Sequence, residues 1–180
     1  MNMNILEPIV NPTAGQIAIL AELQCFLNRE TWLLDHDRLE AWLELFTDDI
    51  RYTAPVRKEA SRRRGESFGE PGRLMHFDDT YVTLTMRVEK LRTNRSWSED
   101  PPSRVRRLIS NVVLLAHDEA STVVGSNFHI HRETAEGAAR SFVGYREDSV
   151  VKHASAGWKI RQRIIYLDHT VLPHVLTLLF

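Results

Sequence analysis

Residues 104–117 read RVRRLISNVVLLAH, and here the period of hydrophobicity changes from helical to strand-like. Apolar residues fill both alternating sets, Leu108, Val112 and Leu114 on one and Ile109, Val113 and Leu115 on the other, which predicts a central strand covered on both faces. Three more runs follow, Ser121–Arg132, Ala139–Lys152 and Trp158–Asp168, with short links carrying Asp118-Glu119, Glu136-Gly137 and Ser155-Ala156-Gly157. Links this short join antiparallel neighbours, so the second half of the chain is a meander of long strands.

The first half is mostly helical. Thr13 and Gln16 have the form of a capping box, after which Ile19, Leu20, Leu23, Phe26, Leu27, Leu33 and Leu34 recur at helical spacing to about residue 35. Asp37 and Glu40 repeat the capping pattern before a short helix with Leu39, Trp42, Leu43 and Phe46 on its buried side. Ile50, Tyr52, Ala54 and Val56 then alternate as in a half-buried strand, which Pro55 assigns to a sheet edge. The segment 57–73 is basic and punctuated by Gly65, Gly69, Pro71 and Gly72, and is read as a surface loop. A third helix is expected from about Phe77, with Tyr81, Leu84, Val88 and Leu91 on the same face. The stretch WSEDPPSR at 97–104 ends it, because each proline forces the residue before it out of the helical region.

The pattern gives one α+β domain over residues 1–180, three N-terminal helices packed on a curved antiparallel sheet. Residues 1–12 form an N-terminal extension. The tail, 169–180, is strongly apolar from Val171 onward and is expected to dock on its own sheet or on a neighbouring subunit.

Composition narrows the function. The chain is 43% hydrophobic and 26% charged with a formal net charge of −1, so no overall field draws it to nucleic acid or an anionic membrane. No run of about 18 apolar residues and no basic leader with an apolar core occurs, so neither secretion nor a membrane span is expected. Cys25 is the only cysteine, which rules out an internal disulfide or a thiolate-held cluster and fits the cytoplasm.

Candidate chemistry is thin. His129 and His131 flank Ile130 and share a strand face that a metal could use, but no third ligand stands at a recognisable spacing. His76-Phe77-Asp78-Asp79 is read as the acid-rich start of a helix. Asp168, His169 and His174 contain the residue types of a two-histidine, one-carboxylate iron site, with nothing to show that they converge. Cys25 is read as a small core residue of the first helix. No GxSxG elbow and no glycine-rich phosphate loop is present. No catalytic, cofactor-binding or metal residue is therefore assigned.

One family resembles this chain over nearly its whole length. WSEDPPSR followed by Arg107, Ile109-Ser110-Asn111-Val112, Ser126-Asn127-Phe128, Phe142-Val143-Gly144-Tyr145-Arg146, Trp158-Lys159-Ile160 and Leu167-Asp168 is similar to the small (β) subunit of bacterial aromatic-ring-hydroxylating dioxygenases. Glu30, Leu33-Leu34-Asp35, Trp42-Leu43, Leu45-Phe46, Asp49-Ile50, Tyr52, Pro55, His76-Phe77-Asp78-Asp79, Arg87-Val88 and Lys90-Leu91 continue the likeness.

The resemblance implies a cystatin-like, nuclear-transport-factor-2-like cone and an α3β3 hexamer with a β trimer beneath three catalytic α subunits. It also implies that a Rieske [2Fe–2S] cluster and a mononuclear Fe(II) belong to the α partner, with NADH supplying electrons through a reductase and a ferredoxin. The implied reaction adds both atoms of O2 to an aromatic hydrocarbon to give a cis-dihydrodiol, and this chain takes the non-catalytic, structural part. Trp97, Glu99, Asp100, Arg104, Arg106 and Arg107 are the expected interface residues, since Trp and Arg are common anchors of interface cores. The alternative is a stand-alone isomerase or dehydratase of the same cone, with Asp49, Tyr52, His76 and Asp78 as its acid–base set. A pure binding module would share the fold as well.

Overall fold

The structure, a computed structural model, describes residues 6–57, 71–92, 103–118, 121–134, 137–169 and 178–180. Helix α1 spans Ala14–Asp35, and Thr13 and Gln16 form the expected capping box: Gln16 N–H donates to the Thr13 hydroxyl at 3.3 Å and Thr13 N–H to the Gln16 side chain at 2.8 Å. Its buried stripe is Leu23, Phe26, Leu27, Glu30, Leu33 and Leu34, so one carboxylate occupies an apolar position. Cys25 is exposed rather than a core residue, because it precedes the inward-facing Phe26 and falls outside that stripe.

Helix α2 spans Leu39–Leu43 and starts differently from expectation. Asp37 adopts a φ of 56°, turning the chain sharply after α1, and the N-cap is Arg38, which makes no side-chain capping bond. Asp37 thus serves the turn and not the cap.

One six-stranded sheet follows, built from β1 (Phe46–Arg57), β2 (Pro71–Asp79), β3 (Arg104–His117), β4 (Thr122–Glu133), β5 (Ala139–His153) and β6 (Gly157–Leu167). Their spatial order is β2-β1-β6-β5-β4-β3; β1 and β6 run parallel and every other pair antiparallel. The four predicted runs of the meander are β3 to β6. Helix α3 (Tyr81–Arg92) packs near β1 and β2, while α1 lies along β3, so the helices cover one concave face.

Three strand expectations require correction. Pro55 does not mark an edge, for β1 lies between β2 and β6; the register slips on both sides of Pro55, and this irregularity accommodates its missing N–H. The expected loop 57–73 gives way to β2 at Pro71, and His76-Phe77-Asp78-Asp79 lies on that strand rather than opening a helix. Helix α3 begins four residues after Phe77, with Thr80 and Thr83 exchanging backbone-to-hydroxyl bonds at its start. Finally, β3 is an edge strand. Its apolar residues fall in both alternating sets because Asn111, at φ 51°, sits in a register shift between Ser110 and Val113 that changes which side chains face inward. Its outer edge is met at Leu114, whose carbonyl accepts Ile9 N–H at 2.9 Å.

Between β5 and β6 the backbone is closely packed at Gly144, opposite Leu167 in the register. A Cβ there would lie 2.1 Å from the Tyr166 carbonyl oxygen and 2.7 Å from the Phe128 ring. Gly144→Ala therefore forces apart a backbone and an aromatic ring, and urea unfolding is expected to show a loss of about 1–3 kcal/mol; an unchanged midpoint would contradict this packing.

Candidate functional site

The concave side of the sheet holds a cluster of buried charge. Glu30 of α1, Arg146 and Asp148 of β5 and Arg163 of β6 are all at most 1% exposed. Sheet alternation explains the placement: Arg146 and Asp148 are two residues apart on β5, so both point inward, and Arg163 stands opposite Asp148 in the register. The Arg146 guanidinium donates to Glu30 Oε2 at 2.8 Å and to the Ser126 hydroxyl at 3.3 Å. Arg163 bonds Glu30 through Nη1 and, at 3.0 Å, through Nη2, and grips Asp148 through Nε at 2.6 Å and Nη2 at 2.9 Å. Trp42 Nε1–H donates to Glu30 at 3.1 Å. Two cations and two anions balance, and every charge has hydrogen-bond partners, which is the condition for burying them.

Burial would raise the Glu30 pKa, but the charges of Arg146 and Arg163 and the bonds from Arg163 and Trp42 override it and hold the group at about 2. Arg163 is likewise kept firmly protonated: burial opposes its charge, while Asp148 and Glu30 favour it more strongly.

Residues 178–180 pack beside this cluster. Arg87 donates to the Leu178 carbonyl at 3.1 Å, Arg107 to the Leu179 carbonyl at 3.1 and 3.0 Å, and Arg163 to the Phe180 oxygen at 2.6 Å. The Tyr52 hydroxyl donates to that same oxygen and accepts Phe180 N–H, both at 2.8 Å. The Phe180 ring sits among Phe77, Phe128 and Phe142 with centroids 6.3, 5.6 and 6.0 Å away. Arg87 and Arg107 are themselves paired, with Asp79 at 2.6 Å and Asp35 at 2.8 Å. The apolar tail thus docks, at least over these three residues, on its own chain.

The residues expected from the alternative enzyme do not converge. Tyr52 is fully buried with its hydroxyl committed to Phe180, and burial pushes its pKa up. Asp49 is 69% exposed beside Arg161, and Asp78 is held by Arg51 at 2.7 Å. His76 lies on β2 with its pKa lowered by partial burial. No buried acid or base stands beside an open substrate cavity among them. His129 bonds the Ser141 hydroxyl at 3.0 Å, and no group of three His, Cys, Asp or Glu among the described residues could hold a metal. His174 lies outside the described residues. A Rieske centre needs two cysteines and two histidines, so the donor set of this chain does not fit one.

Of the expected interface residues, Trp97, Glu99 and Asp100 lie outside the described residues. Arg104 is exposed, Arg106 has 68% of its side chain exposed, and Arg107 is turned inward with 7% exposed, spent on Asp35 and Leu179. Sequence reasoning missed the buried quartet. Its signal was present: Glu30 at a stripe position of an otherwise apolar helix face, and two charges at the inward phase of β5.

The centre of the fold is thus packed with ion pairs and with residues 178–180 of the same chain. The family model for the ring hydroxylating β subunit matches residues 29–174. The chain belongs to that family, the β subunits of aromatic-ring-hydroxylating dioxygenases. It is 35% identical over 162 residues to the 3-phenylpropionate/cinnamic acid dioxygenase β subunit of Photorhabdus laumondii, covering 88% of this chain and 90% of that one. It is 33% identical over 163 residues to the benzene 1,2-dioxygenase β subunit of Pseudomonas putida, covering 88% and 87%. Among solved structures, a naphthalene 1,2-dioxygenase with indole bound in its active site superposes with a TM-score of 0.82 at 23% identity, over 94% of this chain and 89% of that one. The fold is therefore the nuclear-transport-factor-2-like cone, and the chain is a non-catalytic subunit of an oxidoreductase complex. No described helix is long and apolar enough to cross a membrane.

Because the folded pKa of Glu30 is depressed to about 2 from its ordinary 4.5, its contribution is fully present above about pH 4.5 and is lost as pH falls towards 2. Glu30→Gln removes one anion from a quartet with two buried arginines, and a loss of about 3–5 kcal/mol is expected at neutral pH. The wild-type stability should also fall more steeply than the variant's between pH 4.5 and 2; parallel curves in that window would contradict the assignment.

Proposed function

We propose that the chain is the structural β subunit that assembles and stabilises an α3β3 aromatic-ring dioxygenase. The complex converts an aromatic hydrocarbon, O2 and NADH-derived electrons to a cis-dihydrodiol. In this reading the chain acts as one domain, forms a trimer with its sister β subunits and carries the catalytic α subunits. The Rieske [2Fe–2S] cluster and the mononuclear Fe(II) reside in α, a reductase and a ferredoxin deliver the electrons, and the assembly works in the cytoplasm.

The observation that carries the reading is the engagement of Tyr52: the one buried hydroxyl of the alternative acid–base set is bonded to both the Phe180 oxygen and the Phe180 N–H. In this reading the chain binds its partners through its outer surfaces. Arg104 and Arg106 supply part of that surface, whereas Arg107 supports it from within by holding α1 and residues 178–180 against β3.

The isolated chain is expected to elute with the mass of three copies, to show no turnover on aromatic substrates, and to restore cis-dihydrodiol formation when mixed with an iron-loaded α subunit. A stable monomer at micromolar concentration, or turnover by the chain alone, would contradict the proposal.

A further inference from the structure

On the outer face of the sheet, Glu147 forms no ion pair among the described residues. It projects from β5 on the side opposite to Arg146 and Asp148, away from the helices. Its register partners are Gly125 on β4 and Ile164 on β6, and it is half-buried between them. Burial raises its pKa, a hydrogen bond from the Tyr145 hydroxyl lowers it, and the neighbouring Asp148 charge raises it again. An ionised Glu147 is therefore held at a cost that a nearby cation would remove.

The surroundings of Glu147 are specifically shaped. The Tyr145 hydroxyl lies over Gly125, where a Cβ would stand 2.3 Å from its oxygen, so glycine leaves it room beside Glu147. The Tyr145 ring stacks on Tyr166 with centroids 6.1 Å apart and planes inclined by 17°. A carboxylate beside aromatic rings suits a guanidinium, which bonds carboxylate oxygens in a planar fork and stacks on aromatic faces.

The same outer face carries the complementary group. Arg104, at the start of β3, is exposed and makes no ion pair among the described residues, its cross-strand neighbour Glu133 included. Arg51 and Arg106 of this face already meet Asp78 and Asp35 of their own chain. Arg104 stands opposite Glu133 and Glu147 opposite Gly125, eight residues apart on β4, so roughly 27 Å separates them along the strands. One chain cannot close this pair on itself. Between the two charges the row Leu108, His129, Val143 exposes aliphatic surface, with Leu108 57% and Val143 40% exposed. A copy that gives its arginine to one neighbour and receives an arginine from another is joined head to tail, the arrangement that closes into rings.

We propose that Glu147, with Tyr145 and Tyr166, receives Arg104 of a second copy of this chain, and that this pair joins the sister subunits. The assignment rests on the trimer proposed above and adds the contact that holds it.

Sedimentation of the full chain over a range of concentrations tests the contact. Arg104→Glu, Glu147→Arg and the milder Glu147→Gln are each expected to raise the dissociation constant of the homo-oligomer by roughly 30-fold or more. Combining Arg104→Glu with Glu147→Arg should restore it to within about threefold of wild type, because the swap rebuilds the pair. Gly125→Ala keeps every charge but displaces the Tyr145 hydroxyl, and should weaken association by roughly 5-fold. The inference is overturned if Arg104→Glu and Glu147→Gln associate within about threefold of wild type, or if the swap restores nothing. It is overturned equally if these variants keep their homo-oligomer and lose binding to purified catalytic α subunit, which would give the site to α. A wild-type chain that stays monomeric would overturn the subunit reading together with this contact.

Discussion

Glu30 and Arg163, buried against each other with Arg146 and Asp148, are the constraint on which the rest of the cone depends. Each charge would be untenable alone in this interior. Together they tie α1 to β5 and β6, and their bonds specify one register: Arg163 can satisfy both carboxylates only when β6 stands where Asp148 faces it. Replacing the whole quartet by apolar residues of similar volume could leave the fold equally stable, so its value lies as much in specifying the arrangement as in strengthening it.

The same charges decide what the interior can do. An acid–base catalyst needs a group whose proton is available near pH 7. Glu30 is held ionised by its arginines, Arg163 is held protonated, and Tyr52 is engaged by Phe180. The three arginines that hold the carbonyls of residues 178–180 come from α3, β3 and β6, so this short segment joins elements distant in sequence. These bonds brace the interior across the sheet and its helices.

Much of this was legible in the sequence. The Thr13–Gln16 box and the four downstream strand runs rest on local signals, capping chemistry and hydrophobic period, and these match the structure to within a residue or two at each end. Strand β2 was hidden because Pro71 and Gly72 read as loop punctuation, and because Phe77 has helical spacing to Tyr81 while pairing as a strand residue with Ala54. The place of β3 at the edge was hidden by the Asn111 bulge, which makes an edge strand look apolar on both faces. The quartet was half visible: an acid in a helix stripe and inward-phase charges on β5 flag buried ionisable groups, but which of them meet is decided by tertiary packing.

The cone as scaffold is tested most directly by Tyr52→Phe, which deletes only the hydroxyl that binds Phe180. Turnover per iron of the complex assembled with this variant should equal that of the wild-type complex, while the melting temperature of the isolated chain falls. A drop in turnover of about 100-fold with the assembly intact, the size expected when a catalytic acid or base is lost, would contradict the account.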